Sequence, residues 1–373
     1  MKNIIYYLSK KGNIPLSEYP FNEVDGLILS QISYLNFGPF ISAIEPINML
    51  DIFRNKQYET LVEDCLTPKN NIKFIKMLAE STRYEDVKVG HLVDDIDVDA
   101  VKQFYAETFI FPDFLYIVFR GTDTSLNGWH EDFNMAFMNE VPAQKEAITY
   151  VRKIYEIYKK KIYIGGHSKG GNLAVYSAYH NLDIVDDIIE VHNFDGPGFS
   201  DDIYYRDDYI NKLFPKVKNY STQKAIIGVL LNHSDNLRFI KGKGFLILAH
   251  DPYNWILKKD CTFAFVKKNN PTSRFFARAT MHFFEETSTT QREKFVDTLF
   301  KVIIAEKNSK VLDITKDFKS YYKGIKTRYK ELPKVEKDDF KSILKVFRKC
   351  FPRAIGTKIK DIFDKKNKKI KIK

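Results

Sequence analysis

The segment Ile162-Tyr163-Ile164-Gly165-Gly166-His167-Ser168-Lys169-Gly170-Gly171-Asn172-Leu173-Ala174 restricts the fold of this chain more than any other. An apolar run over residues 161–165 predicts a short strand, and small residues over 170–179 predict a helix. Between them, Gly166-His167-Ser168-Lys169-Gly170 forms a G-x-S-x-G pattern. In that setting the serine occupies a tight turn that lifts its hydroxyl above a sheet. Gly166 and Gly170 are needed because a Cβ at either position would meet the neighbouring strand and helix. The pentapeptide alone recurs by chance, and its meaning comes from lying between a strand and a helix. The plainer reading is a glycine-rich turn that only packs closely or holds phosphate. The phosphate-loop pattern G-x-x-x-x-G-K-[ST] is absent, however.

The rest of the chain predicts a layered α/β architecture. Val24, Leu27, Ile28 and Ile32 fall at helical spacing within residues 21–35. Residues 41–100 mix short helical patterns with charges, Pro46 and Pro68, and read as a helical cap or lid more than as sheet. Strands are expected at 104–111 and 114–119, joined around Pro112-Asp113, and at 188–194, 217–222 and 237–240. Helices are expected at 126–138, 143–160, 272–285 and 289–306. Strands alternating with helices imply crossovers and a mainly parallel central sheet flanked by helices. Beyond Asn308 the chain is charged and helical, interrupted at Pro333 and Pro352. The expected division is a domain over 1–308 and a basic helical extension over 309–373.

Composition excludes several alternatives. Three scattered cysteines, Cys65, Cys261 and Cys350, argue against a disulfide framework, and no C-x-x-C or zinc-like Cys/His spacing occurs. No metal or organic cofactor is expected. The apolar stretch at residues 4–8 is too short for a signal peptide, and no run approaches the roughly 18–20 residues of a membrane span. A cytoplasmic location is the default expectation. The net charge of +11 is uneven: residues 351–373 hold nine Lys/Arg against two Asp, leaving +4 for the remainder. The plain reading of this tail is a solvated terminus. The alternative is a peripheral partner, an anionic membrane surface, with nucleic acid the less expected target.

Upstream of the serine, Tyr116-Ile117-Val118-Phe119-Arg120-Gly121-Thr122-Asp123 closes a predicted strand with a polar loop. In a sheet carrying a nucleophilic serine, that loop supplies a second donor to a developing oxyanion. Thr122 is placed for it, with the Lys169 N–H as the first donor. Thr122 and Asp123 also suit a helix cap, and Arg120 is expected to tie the loop to a carboxylate such as Asp132.

These residues carry a resemblance. Phe119-Arg120-Gly121-Thr122, Trp129, Asp132 and the glycine-rich serine segment together resemble the class 3, fungal-type triacylglycerol lipases. The likeness is closer still to a bacterial α/β-hydrolase family of uncharacterised proteins related to those lipases. Its marks here are Phe21-Asn22-Glu23-Val24-Asp25-Gly26-Leu27, Gly128-Trp129-His130-Glu131-Asp132-Phe133-Asn134, Pro142-Ala143-Gln144, Ile226-Ile227-Gly228-Val229-Leu230-Leu231 and His250-Asp251-Pro252-Tyr253-Asn254-Trp255. The resemblance covers roughly residues 1–308. It implies an α/β-hydrolase fold and a lipase-like or esterase-like acyl hydrolase acting on a small-molecule or lipid ester.

A serine hydroxyl needs a histidine to take its proton and a carboxylate to fix the tautomer of that histidine. In this fold the chain order is Ser, acid, His. Among the histidines after Ser168, His180 and His192 lie on a predicted helix and strand, and His233 precedes the expected acid loop. His282 sits in an amphipathic helix. His250 follows the last predicted strands, where a base belongs. Asp235, in His233-Ser234-Asp235-Asn236, is the expected acid, and Asp195, in Phe194-Asp195-Gly196-Pro197-Gly198, the alternative. In the lipases the acid stands just ahead of the segment matching Ile226-Ile227-Gly228, where this chain has Gln223-Lys224-Ala225. That gap leaves open an atypical triad, a Ser-His dyad, or a catalytically silent scaffold that binds a ligand.

Overall fold

The computed structural model describes residues 1–41, 45–135, 138, 140–199, 206–231, 236–244, 247–304 and 318–356. Among these described residues the centre is a nine-stranded sheet whose spatial order follows chain order. The strands are β1 (Ile47–Asn48), β2 (Lys88–Asp97), β3 (Lys102–Ile110), β4 (Phe114–Phe119), β5 (Lys161–His167), β6 (Ile188–Phe194), β7 (Val217–Thr222), β8 (Arg238–Ile240) and β9 (Phe265–Val266). From β4 to β8 the neighbours are parallel. The pairs β1/β2, β2/β3, β3/β4 and β8/β9 are antiparallel. The sheet is therefore mixed, a correction to the mainly parallel one expected. Only residues 98–101 and 111–113 join β2 to β3 and β3 to β4, too few for the crossover that parallel strands require.

The helices before the sheet's central strands are α1 (Ile4–Lys11), α2 (Glu23–Ile32), α3 (Met49–Arg54), α4 (Tyr58–Leu61) and α5 (Pro68–Ala79). Between β4 and β6 come α6 (Leu126–Asn134), α7 (Pro142–Tyr158) and α8 (Lys169–Tyr179). Side chains alternate across β4, as the two-residue period of a strand requires. Tyr116 and Val118 join a core with Tyr7, Leu27, Ile28, Phe53, Phe74 and Leu78. Leu115, Ile117 and Phe119 face the opposite layer, with Ala147, Val151 and Ile154 of α7 and Leu173 of α8.

Residues 41–100 correct the expectation of a helical cap. They supply β1 and β2 to the sheet, and Met49, Leu50, Ile52, Phe53, Phe74, Ile75 and Leu78 are buried in the first core. The segment Phe21–Leu27 resembling the lipase relatives is architectural. Asn22 caps α2 in a capping box with Asp25. The Asp25 carboxylate, fully buried, takes Arg83 Nη2 at 2.6 Å and Nε at 2.8 Å, Tyr84 at 2.7 Å and Tyr7 at 3.0 Å. A buried ion pair is costly to break but, so completely hydrogen-bonded, holds α1, α2 and the turn after α5 in one arrangement.

The covering layer comes from the C-terminal part of the chain. A helical turn α9 (Ile247–His250) precedes α10 (Pro271–Glu286), α11 (Thr289–Ile303), α12 (Phe318–Glu331) and α13 (Lys334–Gly356). Phe283, Ile343 and Cys350 form a small separate core with Phe284, Phe295, Val346 and Phe347. His130 of α6 stacks on Phe300 of α11 at 4.4 Å, joining this group to the main body. Pro333 does separate α12 from α13, whereas α13 runs through position 352 without a break. Residues 357–373, most of the basic tail, lie outside the described residues. No helix among the described residues is long and apolar enough to cross a membrane.

Candidate active site

Ser168 lies at the junction of β5 and α8 with φ 59° and ψ −133°, a backbone conformation that a residue with a Cβ rarely adopts. Its N–H bonds to the Phe194 carbonyl at 2.9 Å, pinning the turn to the end of β6. A Cβ on Gly166 would come within 2.4 Å of Gly170 backbone atoms, and one on Gly170 within 2.0 Å of the Phe119 carbonyl oxygen. Gly121 meets the turn from the other side, where a Cβ would lie 2.8 Å from Ser168 Cβ. Strain at Ser168 is thus held by close backbone packing on three sides.

Ser168 is half-buried and lines a cavity of about 1330 Å³, which Thr122, Lys169 and His250 also line. His250 closes the turn α9. Its Nδ1 lies 2.6 Å from Asp195 Oδ2. A carboxylate only accepts, so Nδ1 carries the hydrogen and Nε2 keeps its lone pair. Asp195 follows β6 with φ 58°, its N–H bonded to the Tyr220 carbonyl at 2.7 Å and its Oδ1 accepting from Ser221 Oγ at 2.5 Å. Gly228 packs onto the same carboxylate, where a Cβ would fall 2.0 Å from Oδ1.

Of the two carboxylates considered, the structure brings Asp195 to His250. Asp235 lies outside the described residues, as does His233. The missing carboxylate at Gln223-Lys224-Ala225 acquires a physical account here. The Ile226-Ile227-Gly228 segment packs over an acid supplied by the neighbouring strand end. Two of the other histidines have carboxylate partners elsewhere: His192 is bonded to Glu190 at 3.0 Å, and His282 to Glu285 at 3.2 Å.

His167 is a residue that sequence reasoning passed over. It lies 2.9 Å from the His250 backbone oxygen through Nε2 and 2.9 Å from the Tyr34 hydroxyl through Nδ1. A carbonyl cannot donate, so Nε2 carries the hydrogen and Tyr34 donates to Nδ1. Burial and the neighbouring His250 push the His167 pKa far down, which keeps the ring neutral. Trp255 Nε1 donates to the same His250 oxygen at 3.2 Å. Two side chains thereby clamp the backbone that carries the candidate base. The only advance signal was positional: His167 inside the serine motif, and Trp255 in the segment beginning at His250.

The loop after β4 also differs from expectation. Ser125, not Thr122 or Asp123, caps α6, accepting from the Gly128 N–H at 3.1 Å. Arg120 pairs with Asp94 at 3.2 Å and lies 3.7 Å from Asp123, not on Asp132. The β2/β3 ladder sets Asp94 opposite Tyr105, over whose ring the Arg120 guanidinium lies at 3.9 Å. Asp132 instead accepts from the Thr122 hydroxyl, and burial pushes its pKa up to about 6.

The Lys169 side chain leaves the cavity. Its buried Nζ meets Glu131 at 2.9 Å, and the Gln103 carbonyl and side-chain oxygens at 2.8 and 2.7 Å. Glu131 in turn accepts from the Gln103 and Ala143 N–H groups, both at 2.9 Å. This network fixes the start of α8 against β3, α6 and α7. The Lys169 N–H belongs to the first turn of α8, where N–H groups lack helical acceptors.

Fold and site together define an α/β protein with a serine in a strained strand-to-helix turn and an Asp–His pair whose histidine lines the same cavity. A family model described as Mbeg1-like matches residues 78–301, more than half of the chain. The chain belongs to that lipase-related family. Among solved structures it is similar to the native Rhizomucor miehei lipase propeptide complex, at 16% identity over 64% of this chain and 81% of that one, with a TM-score of 0.33. A deletion mutant of that complex gives 16% identity, 54% and 72% coverage and a TM-score of 0.34. A fungal lipase–inhibitor complex gives 13% identity, 60% and 88% coverage and a TM-score of 0.37. Among curated proteins, none matches this chain.

Proposed function

We propose that this chain is a serine hydrolase of the α/β-hydrolase type that cleaves carboxylic esters with apolar acyl groups. In this reading Ser168 Oγ attacks the ester carbonyl while His250 Nε2 takes its proton. The carbonyl oxygen becomes an oxyanion, held by the N–H groups of Thr122 and Lys169. Collapse of the tetrahedral species breaks the ester bond, and His250 returns the proton to the departing alcohol oxygen. Water, deprotonated by His250, then releases the acyl group from Ser168. Asp195, in place of Asp235, holds Nδ1–H and so keeps Nε2 basic.

The observation that carries the reading is the strained Ser168 turn sharing one cavity with a histidine whose tautomer is set by a buried carboxylate. An apolar acyl group suits the many Phe and Leu side chains that line this cavity. The test is labelling by a fluorophosphonate probe, which modifies activated serines. Wild-type protein is expected to label and Ser168→Ala to lose the label. Folded wild-type protein that never labels would return the chain to a silent binding scaffold.

A further inference from the structure

The cavity wall built by α10, α11 and α13 is aromatic and aliphatic, with Phe276, Phe283, Phe295, Leu299 and Phe347 among its residues. Arg292, in the first turns of α11, is the one charged side chain on that wall among the described residues. A guanidinium has five N–H donors. Here Nη1 donates to the Phe284 carbonyl at 3.2 Å and Nη2 to Thr289 Oγ1 at 3.3 Å, both neutral acceptors at long range. Its Nε is buried without a protein partner among the described residues. The planar group packs on the Phe284 ring, 5.0 Å from its centroid.

The other cationic residues that line the cavity are matched: Lys169 carries its ammonium away from it to Glu131, and Arg120 has Asp94 and Asp123. A half-buried cation beside apolar side chains, lacking a counter-charge, is unfavourable unless something supplies one. Burial shifts Arg292 in that direction, lowering its affinity for its own proton, and does so without a carboxylate among the described residues to offset it. The planar fork is well shaped for a carboxylate or a phosphate.

We infer that Arg292 receives the anionic group, a carboxylate or a phosphate, of an amphiphile whose hydrocarbon chain occupies the cavity. The substrate class then becomes an anionic lipid ester, a step that rests on the hydrolase reading, whereas the binding site itself does not. The full chain carrying Ser168→Ala, which removes turnover, is titrated with dodecyl phosphate, dodecanoate and dodecanol below their micelle concentrations. At least one anion is expected to bind about 10-fold or more tightly than the alcohol, and Arg292→Gln to abolish that preference while leaving dodecanol binding unchanged. Arg292→Lys should keep part of the preference, and Arg292→Met provides a second neutral variant should the glutamine protein fail to fold. Dodecyl phosphate ahead of dodecanoate identifies a phosphate head group, and the reverse order a fatty-acid carboxylate. Dodecanol binding as tightly as both anions, or an anion preference that survives in the neutral variants, overturns the assignment. Absent fluorophosphonate labelling of wild type alongside an intact anion preference would sink the hydrolase reading and leave the Arg292 site standing.

Discussion

Replacing Asp195 with Asn preserves side-chain volume and reverses the hydrogen-bonding sense of one atom. In the wild type, Oδ1 accepts from Ser221 at 2.5 Å and Oδ2 from His250 Nδ1 at 2.6 Å. Ser221 lies closer to the Asp195 side chain, at 2.5 Å, than to its other acceptor, the Thr222 carbonyl at 3.2 Å, which favours the amide oxygen in the Oδ1 place of Asp195→Asn with the NH₂ group facing His250. Two donors cannot share that contact, and the imidazole is driven to the tautomer with its hydrogen on Nε2. That nitrogen can no longer accept the Ser168 proton. Loss of the tautomer in such triads costs about 10⁴-fold in kcat, roughly 5 kcal/mol of barrier at about 1.4 kcal/mol per decade. The assay is hydrolysis of a short-chain nitrophenyl ester by folded Asp195→Asn and Asp235→Asn proteins, with Ser168→Ala as the baseline. Asp235→Asn should remain within a few-fold of wild type. An Asp195→Asn enzyme that keeps more than a tenth of wild-type kcat while Asp235→Asn collapses would refute the geometry argued above.

Two other expectations test different parts of the structure. Trp255→Phe removes the Nε1–H that clamps the His250 carbonyl while His167 remains. One neutral hydrogen bond contributes about 0.5–1.5 kcal/mol, so kcat should fall about 3- to 10-fold with KM little changed, and an unaltered kcat in folded protein would remove the clamp from the account. Glu107 is fully buried, with Tyr105 donating to one oxygen, and burial pushes its pKa up to about 8. Because the folded value lies above the unfolded one, near 4.5, the group contributes most stability below pH 4.5 and loses it as pH rises towards 8. Denaturant titrations at pH 5 and pH 8 should therefore show Glu107→Gln gaining on wild type with rising pH, by up to about 1.4 kcal/mol per pH unit. An equal difference at both pH values contradicts the buried protonated carboxyl.

The readable parts of this sequence are those whose signals are local. β5, Ser168 and α8 form one continuous pattern, and the structure only extends the strand from residue 165 to His167 and moves the first helical residue from Gly170 to Lys169. The strand 188–194 and the helices after residue 270 are similarly self-declaring. β2 is not. A register shift between Gly90 and Val93 and a left-handed His91 interrupt its alternation, and Asp94, Asp95 and Asp97 give it a solvent-facing composition. Misreading β2 hid Asp94, and with it the true partner of Arg120, which only strand pairing brings into reach.

The same reasoning explains why the aspartate that meets His250 was only the alternative in the sequence, and why the cover of the cavity was misplaced. The order Ser, acid, His is satisfied by Asp195 and by Asp235 alike, so chain order does not discriminate between them. What discriminates is the end of β6: Asp195 is fixed there by its own N–H on Tyr220, by Ser221 and by the close approach of Gly228. None of these contacts is local in sequence. Residues 41–100 looked like a cap because charges and prolines interrupt them, yet their apolar positions are the ones the sheet buries. The helices from 271 onward looked like ordinary flanking helices followed by an accessory tail. Their aromatic stripe finds its use only when Phe283, Phe295 and Phe347 meet over a cavity that Ser168 and His250 also line. A helix with an apolar face declares that it must pack, and leaves undeclared whether it packs on a core or around a ligand.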